Sequence, residues 1–86
     1  MPYDNAIMGQ VIRSLRKKHG LSQDVLSGLS GIARSHLAMI ETGYKNANVE
    51  TLWRIAEALN MPLSELIAIV ENSIVVKNDF WPDSNS

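Results

Sequence analysis

Between Arg34 and Thr42 the chain gathers side chains that can read the edges of base pairs. Wound as a helix, this segment brings Arg34, Ser35, Ala38, Met39 and Thr42 to one side. Arg34 can donate two parallel hydrogen bonds to a guanine, Ser35 can donate or accept, and Ala38 and Met39 can meet a thymine methyl. Ala33, Leu37 and Ile40 recur at i, i+4 and i+7 on the other side, the spacing of a core-facing stripe. His36 falls on one flank of the reading face and Glu41 on the other.

Such a helix is useful only if something holds it outward, and the residues before it supply a support. Ser22 is a good N-cap, because its hydroxyl can accept from a free first-turn N–H. Val25, Leu26 and Leu29 follow at helical spacing, so the sequence predicts a helix over Gln23–Ser30. Gly31 can take the positive φ that reverses the chain sharply. A second helix, Arg34–Thr42, then ends at Gly43. Helix, tight turn and helix is the arrangement that lets the second helix lie in a DNA major groove.

The remaining segments complete an all-α, five-helix reading. A first helix is expected over Asn5–Lys18, with Ile7, Met8, Val11, Ile12 and Leu15 as its apolar stripe. The segment Gly43 to Ala47 is a polar loop. Asn48 can cap a fourth helix whose Leu52, Ile55, Ala56 and Leu59 form a core face, ended by Asn60. A fifth helix, with Pro62 in its first turn, is expected to run to about Glu71. The expected organisation is one compact helix-turn-helix DNA-binding domain over residues 5–72 and a short C-terminal tail over 73–86.

Several ordered motifs resemble the Cro and phage-repressor family, also called Xre-type helix-turn-helix proteins. They are G-x-x-I-R-x-L-R (Gly9 to Arg16), G-L-S-Q (Gly20 to Gln23), I-E-x-G (Ile40 to Gly43) and E-T-L-x-x-I-A-x-A-L (Glu50 to Leu59). The resemblance runs from Met8 to Leu66. It implies a repressor-like fold, double-stranded DNA as partner, and an Arg16–Glu41 ion pair that orients the recognition helix. It also implies that Gln23 meets a DNA phosphate and braces the first recognition-helix residue. His36, Thr42, Tyr44, Lys45 and Asn46 are candidate contacts to the DNA backbone, Lys45 the strongest among them. The chain departs from the family pattern in three places. Ala33 stands where Ser or Thr often caps the recognition helix, Ala47 replaces a frequent proline, and Gly28 weakens its helix by about 1 kcal/mol relative to Ala.

Composition bounds these readings. Eighty-six residues make one small domain, with 45% hydrophobic residues for a core and no cysteine for disulfides or thiolate metal sites. The two histidines, His19 and His36, make no credible metal site, and no cofactor is expected. No nucleophile–base pair or phosphate loop can be assembled, so catalysis is not expected. No apolar run approaches a membrane span, the beginning MPYDNAIMGQ lacks an export signal, and the cytoplasm is the expected compartment. The formal charge is −1, but it is unevenly spread: residues 1–60 carry seven Lys and Arg against five Asp and Glu, and residues 61–86 one against four. Phosphate contacts depend on local charge, so DNA binding should be salt-sensitive and weak for a single copy.

The C-terminal part points to association. Leu63, Leu66, Ile67, Ile69, Val70 and Ile74 give the fifth helix more apolar surface than one core stripe needs. Leu66, Ile67, Ile69, Val70 and Ile74 are the expected seam of a homodimer, with Ile69 furthest from the core. Family members commonly pair through this helix, and a symmetric pair of recognition helices would read a palindrome. Val75, Val76, Phe80 and Trp81 can dock on the domain, extend the seam or hold a partner protein, and residues 82–86 are expected to be disordered. Three functions fit: a dimeric transcription regulator such as a phage-type repressor or restriction–modification controller; an antitoxin that also binds a toxin; and a helix-turn-helix module used only for protein association.

Overall fold

Asp4, Ser22 and Asn48 each turn a side-chain oxygen back onto the helix that follows, accepting from the N–H of Ala6 (2.8 Å), Val25 (3.1 Å) and Thr51 (2.8 Å). Each satisfies one otherwise free first-turn donor and fixes where its helix begins. The computed structural model describes residues 4–77. Within them the order is α1 (Asn5–Lys18), α2 (Gln23–Ser30), α3 (Arg34–Thr42), α4 (Val49–Ala58) and α5 (Leu63–Lys77). Gly31 takes φ 71° and turns the chain between α2 and α3, and Asn60, at φ 61°, follows the end of α4.

The helices pack around one core. α1 lies against α3 and α5, α2 against α4 and α3, and α4 against α5. Ile12, Leu26, Leu37, Ile40, Ile55, Leu59 and Leu66 are wholly buried at its centre, each stabilising by roughly 1.5–3 kcal/mol. Gly9 lets α1 come against the last turn of α3. A Cβ at residue 9 would lie 2.5 Å from the Glu41 carbonyl oxygen and 2.8 Å from its carbonyl carbon. Both are backbone atoms, so only a separation of the helices would make room. This contact sets how far α3 stands out from the domain.

Three expectations need correction. α2 does not bury Val25 and Leu29, which are 47% and 63% exposed; it buries Leu26 with Ser27 and Ser30. Ala33 is not in the core either. It is the exposed N-cap of α3 and makes no side-chain cap bond, so the inward face of α3 is Leu37, Ile40 and Glu41.

The third correction concerns α5, which continues past Glu71 to Lys77. Ile74 is buried, so the expected boundary at residue 73 falls inside a helix that the core holds. Leu66, Val70 and Ile74, spaced i, i+4 and i+8, form the core stripe and offer almost no surface to a partner. Ile69 is not furthest from the core. It is half-buried in a groove with Ile7, Val11 and Leu15 of α1. Phe80, Trp81 and residues 82–86 lie outside the described residues. No helix among the described residues is long and apolar enough to cross a membrane.

Candidate nucleic-acid interface

Arg16 and Glu41 tie α1 to α3. Arg16 donates from Nε to Glu41 Oε2 at 2.7 Å and from Nη2 to Oε1 at 3.0 Å, a two-pronged pair between buried residues. Its remaining terminal nitrogen donates to the Leu21 carbonyl at 2.9 Å. The hydrogen bond to Glu41 raises the Arg16 pKa above its ordinary value, burial opposes that, and the Glu41 charge adds to it. A carboxylate and a guanidinium out of water are costly to bring together, so the pair acts chiefly as a fixed strut. Gln23 joins it, donating from Nε2 to Glu41 Oε1 at 3.1 Å. It therefore braces the last turn of α3, and not the first as the resemblance implied.

Held in this way, α3 turns Arg34 and Ser35 to solvent, with Ala38, Met39 and His36 half-buried along the rim. Its first turn lacks a side-chain cap, so its leading N–H groups keep their donors. Thr42 is exposed and donates its hydroxyl to the Met39 carbonyl at 3.1 Å. Beyond Gly43, Tyr44, Lys45 and Asn46 are exposed, and the Lys45 backbone N–H donates to the Met39 carbonyl at 3.1 Å. That bond keeps the loop folded back on α3 and leaves the Lys45 ammonium outside. The candidate reading residues and the Lys45 ammonium therefore lie on one helix and the loop that follows it.

Two neighbours of this face, and one groove elsewhere on the domain, were missed by the sequence reasoning. Arg13 is exposed on α1 and lines a cleft of about 450 Å³ with Ala6, Gln10, Gln23 and Thr42. Its position one turn before Arg16 could have flagged it. Asp24 lies 3.4 Å from the Arg34 Nε, a pairing across the turn that helical spacing within one segment cannot reveal. Trp53 is 56% exposed, and with Glu57, Met61, Pro62, Leu63, Ser64 and Ile67 it lines an open, mostly apolar groove of about 660 Å³. Val49 and Trp53, four residues apart and off the core stripe of α4, are the sequence signal for that face.

Comparison with known proteins adds a finding on the same segments. The model of the helix-turn-helix family HTH_3 matches residues 12–66. The chain is 33% identical over 61 residues to the control protein C.SmaI of Serratia marcescens, an alignment covering 71% of this chain and 73% of that protein. It is also 33% identical over 61 residues to the transcriptional regulator SutR of Escherichia coli strain K12, where it covers 71% of this chain but only 34% of the longer protein. Among solved structures, the restriction–modification controller C.AhdI of Aeromonas hydrophila superposes with a TM-score of 0.70 at 37% identity, over 72% of this chain and 94% of that one.

Proposed function

This chain belongs to the helix-turn-helix family HTH_3, and we propose that it regulates transcription by laying α3 in the major groove of a specific DNA site. The observation that carries the proposal is the mounting of α3. The Arg16–Glu41–Gln23 strut and the bare Gly9 contact fix its inner side, while Arg34 and Ser35 face solvent. A rigid helix with its reading side chains outward is what direct readout needs. Ser35, Ala38 and Met39 complete the base-reading set, and Gln23, Arg13, His36, Thr42, Tyr44, Lys45 and Asn46 border it as backbone contacts. The names of C.SmaI and C.AhdI favour a controller of gene expression over the other uses of the fold.

The regulator acts as a homodimer on a palindrome. Its seam is the groove between α4 and α5, where Trp53, Met61, Leu63 and Ile67 present apolar surface. Apolar surface of this kind in a small domain is relieved by association, and a two-fold arrangement gives one reading helix per half-site.

Arg34→Ala tests the readout. The variant should lose about 1–3 kcal/mol on the preferred site and little on random duplex, with relaxed choice at one base pair per half-site. Competition binding against a panel of single-base-pair variants measures both. Equal losses on preferred and random DNA would reduce Arg34 to a phosphate contact.

A further inference from the structure

Asp24 presents a problem that fold stability does not solve. Its carboxylate stands on the face that must approach DNA phosphates, with its side chain 78% exposed, and it lies beside an Arg34 side chain that is 64% exposed. An exposed pair of this kind contributes little to the fold, and a carboxylate near the DNA backbone repels it. A place in the first turn of α2 accounts for an acidic residue there by the helix dipole. It does not account for the Arg34 guanidinium being turned onto it.

We propose that Asp24 is a positioning residue for Arg34, holding its guanidinium for a guanine. This deepens the role given to Arg34 above and rests on that reading. The atoms involved support it. The contact is to Nε, at 3.4 Å from Asp24 Oδ1, on the inner edge of the guanidinium. The two terminal nitrogens, Nη1 and Nη2, form the end of the fork, and they are left to donate together to the N7 and O6 of one guanine. A long arginine on the first residue of a helix otherwise samples many rotamers, and ordering it on DNA costs entropy. A carboxylate that already restricts it lowers that cost for the base that accepts both bonds. It gives no such help at a base that does not. The same negative charge weakens binding to every sequence, so Asp24 trades affinity for choice.

The test uses the full chain and two 20-base-pair duplexes: the preferred site, and the same site with the base pair read by Arg34 replaced in each half. That pair is identified as the one whose change costs the wild type much and Arg34→Ala little. Asp24→Ala should bind random-sequence duplex about two- to threefold more tightly, since one repulsive charge is gone. Its preference between the two duplexes should fall by about two- to fivefold, the scale of an exposed ion pair. Asp24→Glu, which keeps the charge, should retain most of the preference. In the Arg34→Ala background, Asp24→Ala should leave the preference unchanged, a readout that a purely structural role would not produce.

A preference in Asp24→Ala equal to or above that of the wild type overturns the inference, because Asp24 would then only compete with DNA for Arg34. So does a preference that Arg34→Ala leaves whole. A wild-type protein that shows no preference among duplexes overturns the proposed function itself, and this inference with it.

Discussion

Glu41→Ala should destabilise the fold by about 3–5 kcal/mol, because it leaves a guanidinium buried without its counter-charge. Arg16 is 8% exposed. Without Glu41 it would keep the Leu21 carbonyl as its one remaining acceptor among the bonds given above, and Gln23 would lose its acceptor as well. A chain of 86 residues has a total stability on the order of 4–13 kcal/mol, so the loss takes a large share of it. The companion variant distinguishes a strut from a source of stability. Arg16→Met combined with Glu41→Leu removes both charges, and its stability should return to near the wild-type value or above it. Urea unfolding followed by circular dichroism reads both. The pH sign is fixed by the raised Arg16 pKa. The stabilisation linked to that raised value is fully present at neutral pH and is lost only as the pH rises through it. A Glu41→Ala protein as stable as the wild type would show that the pair carries little of the α1–α3 contact.

The second large effect concerns assembly. Ile67→Asp places a charge in the groove beside Trp53, Met61 and Leu63 while leaving the buried stripe of Leu66, Val70 and Ile74 intact. With the proposed dimer lost, the variant should sediment as a folded monomer and bind the proposed palindromic site about 10²–10⁴-fold more weakly, since the second half-site contact would no longer be intramolecular. Neither Ile69→Asp nor Leu66→Asp is an equivalent probe. Ile69 packs towards α1, away from this groove, and Leu66 is wholly buried. A folded Ile67→Asp protein that remains dimeric would remove this groove from the seam.

The reasons some features were readable from sequence and others were not are physical. The bounds of α2 and the end of α3 follow from local chemistry: Ser22 caps α2, Gly31 ends it at φ 71°, and Gly43 ends α3 at φ 83°. The core faces of α1 and α4 follow from apolar spacing, with Ile12, Ile55 and Leu59 buried as their periodicity predicts. The reading failed where tertiary packing chose between options that spacing left equal. α2 carries both apolar and small residues at helical spacing, and the inward side takes Leu26, Ser27 and Ser30, leaving Leu29 outside. The fifth helix was expected to stop at about Glu71, yet the core buries Ile74 and α5 continues to Lys77, because packing of an apolar face outweighs local propensity. Of the candidate surface, the helix that presents Arg34 and Ser35 was legible because the spacing of Leu37 and Ile40 and the glycine boundaries are local. The Asp24–Arg34 contact and the Trp53 groove were not, since each joins residues from different helices.

Selection of bound duplexes from a random-sequence pool tests the central claim most directly. The full chain, at low salt, should enrich a palindrome whose half-site centres lie about 34 Å apart, one turn of DNA, as two α3 helices on one face require. The same selection with Arg34→Ala should lose choice at one base pair in each half. A pool that emerges from repeated rounds without enrichment of any sequence would contradict the claim that α3 reads DNA.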